Sequence, residues 1–367
     1  MGGGVISLSV QVSYKKQILF FVLFILVLLT ATEIIFRVYD FYNPNCRFLK
    51  SDVFTQLDFN TKREICKDND KLIWYAGDTA LIPNQHLKTI NINSDGFRGD
   101  KLQNNTDYRI FVIGGSTTFG VGSISDSNTI THFLQKKISD KFPHHNIEVI
   151  NAGIPGAYSY TETNLIKNKI LSYNPNLLII YDGWNDLDVK YERYSNPSIE
   201  QFDKIIRVIK QNDYVTPQVL IKLYSNYAYN NAIGSVLFDP SNIKQKVAMW
   251  RDAWIDICTL QDKYNFKTIV ILQPLVGTGN KHLTPEEQKY FTYWDGKNTL
   301  NYYQLYADML PKLEPTCTAT YDLRNVFDSN SETIFFDFGH VGELGNKIIA
   351  NNIYEKILPT VLEDIQK

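Results

Sequence analysis

From Tyr108 to the C-terminus, short runs of almost wholly apolar residues alternate with longer amphipathic stretches, and this alternation limits the fold more than any other feature. The apolar runs cover 108–113, 147–151, 177–181, 268–274 and 319–323. Helices are expected at 129–141, at 161–172, around Trp250 and Trp254, and at 343–358, where Pro359 should end or kink the last one. Strands that are apolar on both sides of the pleat are buried on both faces, so the expectation is an α/β fold. It should be a three-layer α/β/α sandwich, a parallel sheet covered by helices on both faces. Such sheets bind ligands in the loops at the carboxyl ends of their strands.

A second apolar segment lies near the N-terminus, from Ile18 to Phe36. As a helix it would reach about 28 Å, close to the thickness of a bilayer's hydrocarbon core. Glu33 sits near its end, with Arg37 four residues on as an ion-pair partner. A cleaved signal peptide is the rival reading, but Thr30-Ala31-Thr32 is a poor cleavage site and apolar residues resume after it. The segment is therefore read as an uncleaved single-pass anchor at 18–36, after a tail at 1–17. A juxtamembrane extension follows at 37–107, then the α/β domain at 108–367 with an aromatic-rich insertion at about 187–245. Within the extension, Asp95-Gly96 reads as a turn between short extended pieces.

Lys15 and Lys16 favour a cytoplasmic N-terminus and an extracytoplasmic catalytic domain, although Arg37, Arg47 and Lys50 follow the segment. Cys46 with Cys66 and Cys258 with Cys317 form two disulfides on one reading and four buried thiols on the other. Asn104-Asn105-Thr106 is a glycan acceptor only on the outside of a suitable cell. A formal charge of −2 gives no electrostatic case for nucleic acid as a partner.

The loops that follow the strands carry the chemistry. Gly114-Gly115-Ser116-Thr117-Thr118-Phe119-Gly120 follows the first run, Asn151-Ala152-Gly153 closes the second, and Asp182-Gly183-Trp184-Asn185-Asp186 follows the third. Asp337-Phe338-Gly339-His340 precedes the final helix. A serine hydroxyl needs a base, which His340 supplies if the fold brings the two together, and the base needs an orienting carboxylate such as Asp337. An oxyanion needs donors, for which the N–H of Ser116, the N–H of Gly153 and the side chain of Asn185 are candidates.

These four blocks, in this order, resemble the SGNH hydrolases, also called the GDSL family, over roughly residues 108–367. The resemblance implies a three-layer α/β/α serine esterase or acyl-transferring enzyme that needs no cofactor or metal. It implies Ser116 as nucleophile, Asp337 and His340 as the rest of the triad, and Ser116, Gly153 and Asn185 as the oxyanion hole. Gly115 stands where the family's central aspartate would be. Asn93, Gly96 and Arg98 resemble a segment that often precedes this domain in membrane-anchored relatives, and are read as structural.

Rival readings have less behind them. The glycine-rich run lacks the Lys-Ser/Thr ending of a phosphate loop, the spacing of a dinucleotide fold and the last glycine of a Gly-x-Ser-x-Gly elbow. Metal binding by Asp337, Asp186 and His340 finds no His or Cys cluster in support. His86, His132, His144, His145 and His282 have no catalytic context, and Asp182 and Asp186 are read as loop supports. The reaction expected is serine-dependent cleavage or transfer of an O-acyl ester, on an acylated small molecule or on acetyl groups of surface glycans. The tyrosines of the insertion (Tyr191, Tyr194, Tyr214, Tyr224, Tyr227, Tyr229) are read either as a sugar-binding wall or as ordinary packing. A non-catalytic glycan-binding module on the same scaffold is the alternative from a different class.

Overall fold

A computed structural model describes residues 12–42, 46, 50–72, 81–188, 209, 214–221, 223 and 242–366. Two short strands in the extension, β1 (Gln85–His86) and β2 (Asn91–Ile92), pair antiparallel. The main sheet has five strands: β3 (Tyr108–Gly114), β4 (Ile147–Gly153), β5 (Leu177–Asp182), β6 (Lys267–Leu272) and β7 (Ala319–Asp322). All five run parallel, in the order β4-β3-β5-β6-β7. The winding therefore starts at β3, steps outward to β4 and then returns past β3 to β5. That reversal makes a crevice at the carboxyl ends of β3 and β5, where doubly wound sheets bind their ligands. The expected fold class is the one observed. Apolar runs made the strands legible because every residue of β5 is buried, as is all of β3 except Arg109.

Helices α1 (Tyr14–Tyr42), α2 (Phe59–Lys71), α3 (Ser116–Phe119), α4 (Ile130–Lys141), α5 (Ser159–Asn168) and α6 (Trp184–Asp188) come first along the chain. They are followed by α7 (Ile243–Cys258), α8 (Pro285–Tyr293), α9 (Gly296–Ala307) and α10 (Glu343–Ile365). Helix α4 packs against α10, while α5, α7 and α9 form a second group. Right-handed crossovers put the two groups on opposite faces of the sheet. Trp250 and Trp254, one turn apart on α7, are fully buried against it.

Two helix boundaries differ from expectation. Helix α10 does not stop at Pro359 but continues to Ile365. The proline forgoes one backbone hydrogen bond, whereas the turn beyond it buries Val361 completely and packs Leu362 and Ile365 on the core. Helix α5 stops at Asn168, and the chain tightens into a 3-10 turn at Ile170–Tyr173 closed by Asn174 in the left-handed conformation.

The extension is built into the core. Leu81, Ile90, Ile92 and Phe97 join the main hydrophobic cluster, and Asp95-Gly96 turns between β2 and Arg98. Arg98 is 4% exposed. Its Nε meets Asp126 at 2.7 Å, and its other nitrogens donate to the carbonyls of Thr89, Phe119 and Gly120. Phe119 and Gly120 end the helix that Ser116 begins, so this buried guanidinium holds the serine's helix from behind. Arg98→Met should cost about 3–5 kcal/mol of stability, because three buried carbonyls and Asp126 lose their donor together. Denaturant unfolding measures it, and a loss under about 1 kcal/mol would contradict the role.

Cys46 is joined to Cys66, and Cys258 to Cys317. Helix α1 buries none of its residues and is long and apolar enough to cross a membrane; at 29 residues it extends about 44 Å. The Glu33–Arg37 pair forms on it at 2.9 Å.

Candidate active site

Strand β3 ends at Gly114, and the chain turns at once into α3, so Ser116 stands as the first residue of a helix at the carboxyl edge of the sheet. His340 and Asp337 come from the loop before α10. His340 Nε2 lies 2.6 Å from Ser116 Oγ, across 224 positions of sequence. His340 Nδ1 lies 2.8 and 2.9 Å from the two oxygens of Asp337. Asp337 only accepts hydrogen bonds when ionised, so Nδ1 carries the ring proton and Nε2 is left to receive the serine's. Burial by itself would raise the Asp337 carboxyl. The charge and ring N–H of His340, with the backbone N–H groups of His340 and Gly339, outweigh burial and hold it below the usual range. The expected sequence positions Ser116, His340 and Asp337 are therefore brought together.

A ring stack fixes the histidine from the other side. Phe336 lies parallel to it at 5.6 Å between centroids, and Phe54 packs on Phe336 at 5.3 Å. With Ile65 and Cys66 these phenylalanines form a small core separate from the main one. The segment at 50–72 thus supports the loop that carries His340, a contact no local pattern announces.

The oxyanion side departs from expectation at one residue. Gly153 is not brought into the site: its N–H donates to Asn151 Oδ1 at 3.0 Å, and a Cβ there would fall 2.2 Å from the backbone nitrogen of Phe119. Gly153 is small so that α3 can lie on β4, and its donor is already used. Three residues on, Ile154-Pro155-Gly156-Ala157 forms a type II turn, with Gly156 at φ 79° and the Ala157 N–H bonded to Ile154 O at 2.9 Å. The Gly156 N–H has no acceptor among the described residues, and neither does that of Ser116. Asn185 Nδ2 donates one hydrogen to Ala157 O at 2.6 Å, which fastens this turn beside Gly115 and leaves the second amide hydrogen over. The spare donors are therefore Ser116 N–H, Gly156 N–H and Asn185 Nδ2. Pro155-Gly156 after a strand is a turn signal that was available in the sequence.

Behind these donors lies a group of buried carboxyls. Asp186 accepts from the N–H of Ser159 at 3.0 Å and from its hydroxyl, joining α6 to the start of α5. Asp182 accepts from Trp250 Nε1 at 3.0 Å. Glu162 is buried with no hydrogen-bond partner on either oxygen. Burial raises all three, and the charge of Asp182 raises Glu162 and Asp186 further. Asp182 itself is lifted to about 6, against the lowering effect of its Gly183 and Trp250 donors. Folded values above unfolded ones mean that the native state holds protons the unfolded chain releases. The stabilisation is complete below the ordinary carboxylate range and is lost as pH rises through the folded values, about 6 for Asp182. The melting temperature should therefore be higher near about pH 5 than near about pH 8, and Glu162→Gln should narrow the gap. A melting temperature equal at both pH values would contradict this account.

At the rim, Trp184, Trp294 and Phe338 pack edge to face and tilted, with centroids 5.1–5.9 Å apart. Phe338, itself buried, lies between Asp337 and His340 in the sequence, and Trp184 immediately precedes Asn185. The tyrosines at 191, 194, 224, 227 and 229 lie outside the described residues, while Tyr214 is exposed. No group of metal-ligating side chains occurs among the described residues.

No family model matches the chain, and no curated protein does. Solved structures do. The acetyl xylan esterase AlAXEase aligns at 13% identity and a TM-score of 0.41, over 68% of this chain and 99% of that one. Axe2, an acetylxylan esterase from Geobacillus stearothermophilus, aligns at 12% and 0.40, over 70% and 96%. TesA aligns at 12% and 0.41, over 68% and 98%. Similarity this distant identifies no activity or substrate; the assignment below stands on the site itself.

Proposed function

We propose that this chain is a serine-dependent ester hydrolase of SGNH type. The observation that carries the reading is the unbroken relay from Ser116 Oγ to His340 Nε2 and from Nδ1 to Asp337. Ser116 attacks the acyl carbonyl as His340 takes its proton. The oxyanion is held by the N–H groups of Ser116 and Gly156 and by Asn185 Nδ2. His340 then protonates the leaving alkoxide, giving an acyl-enzyme that water, or an acceptor hydroxyl, resolves by the same steps in reverse.

For the substrate we propose O-acetyl groups on glycans at the cell surface. Trp184 and Trp294 are only partly buried and pack on Phe338, which lies between Asp337 and His340 in the sequence, and aromatic surfaces suit sugar rings. Helix α1 is read as the membrane anchor, and the two disulfides support an extracytoplasmic catalytic domain. The test is acetate release from an O-acetylated oligosaccharide by the full chain in detergent, beside Ser116→Ala. Release by the wild type alone is expected. No release while Ser116 still takes up a fluorophosphonate would overturn the acetyl-glycan assignment, and no uptake would overturn the esterase reading itself.

A further inference from the structure

A cavity of about 460 Å³ opens where α1 leaves its apolar stretch, between the last turns of α1, one face of α2 and the helix at 215–221. Four basic side chains line it: Arg37 from α1, and Arg63, Lys67 and Lys71 from α2. The three α2 positions are spaced by four, so they stack along one helix face. Asp40 and Asp70 are the acidic members and Glu33 pairs with Arg37, so cations outnumber these carboxylates by four to three. Arg63 is held by the ring of Phe41, 4.4 Å below its guanidinium, and Lys67 is exposed with no ion pair among the described residues.

Glu33 fastens the helical wall of the cavity at 215–221. Its carboxylate accepts from the N–H groups of Val215 and Thr216, each at 2.9 Å, and from the Thr216 hydroxyl at 2.7 Å. These bonds cap the helix at 215–221 and fasten it to α1 one turn before Arg37. The same helix exposes Leu220, and Leu223 beyond it is also exposed. Resting on the reading of α1 as a membrane anchor, apolar side chains end and the four cations begin at the level of the lipid headgroups.

We propose that this cavity binds a phosphate-bearing anion, carried by an anionic phospholipid or free in solution. Two arginines offer forked donors and two lysines offer point charges to such an anion. Cys66, on the cavity wall, and Ile65 beside it belong to the small core that contains Phe336, so a headgroup pinning α2 to the anchor would bear on the element packed behind His340.

The test uses the full chain in detergent, with native mass spectrometry following retained phosphatidylglycerol and phosphatidylcholine. The wild type should keep phosphatidylglycerol in preference, and Arg63→Gln/Lys67→Gln/Lys71→Gln should bind it on the order of a hundredfold more weakly. The charge-preserving Arg63→Lys/Lys67→Arg/Lys71→Arg should retain the preference, which separates lost charge from lost structure. Inorganic phosphate that displaces the lipid would show that the phosphate group suffices; failure to displace it would show that the lipid is the ligand. Equal retention of the two lipids, unchanged binding in the glutamine variant, or loss in the charge-preserving one would overturn the proposal. Flotation of the wild type with phosphatidylcholine vesicles tests the anchor separately, since an anchored chain floats whatever its phosphate affinity.

Discussion

Ser116→Ala should lose on the order of 10⁴- to 10⁶-fold in turnover while folding normally, and should no longer take up a fluorophosphonate probe. The effect is this large because the nucleophile has no substitute: α3 places one hydroxyl 2.6 Å from His340 Nε2. Asp337→Asn should cost about 10⁴-fold, because an amide in that place favours the wrong imidazole tautomer. The intact-mass measurement needs no substrate, so it tests the activated serine apart from any view of the acyl group. A wild-type protein that is folded and takes up no probe would defeat the proposed mechanism.

Gly115→Ala should reproduce most of the damage of Asn185→Ala, roughly 100- to 1,000-fold in rate. A Cβ on Gly115 would fall 2.2 Å from Asn185 Nδ2, so the amide that donates toward the oxyanion has to move. Its bond to Ala157 O would go with it, loosening the turn that presents the Gly156 N–H. The double variant should be little worse than either single one, since both act on the same donor set. For the same reason Gly115→Asp, which adds a still larger side chain against Asn185, should lower activity rather than raise it. Unchanged turnover in Gly115→Ala would remove Asn185 from the oxyanion hole.

Much of the architecture was legible because it follows from local pattern. A parallel strand buried on both faces must be apolar at nearly every position, and β3 and β5 announce themselves in that way. The end of α10 was not legible at Pro359 for the opposite reason: the proline's local cost is real, but the burial of Val361 beyond it comes from tertiary packing. Of the two glycines at this strand end the sequence pointed to Gly153 alone. Gly153 closes β4 and Gly156 lies three residues beyond it, and what separates them is the acceptor each N–H has found, Asn151 Oδ1 for one and none among the described residues for the other. The Trp184–Trp294–Phe338 cluster joins three distant segments and leaves no periodicity to read.

The sequence by itself determined the strand pattern, the apolar N-terminal helix and the candidate triad residues, because hydrophobic periodicity and turn chemistry are properties of neighbouring positions. Only the tertiary structure decided that Gly156 rather than Gly153 has a donor to spare, that Asn185 occupies the space a side chain on Gly115 would need, and that Phe54, far back along the chain, backs the ring behind His340. Whether a donor is spare, or a space already filled, depends on atoms brought together from distant parts of the chain, and no single stretch of it contains them.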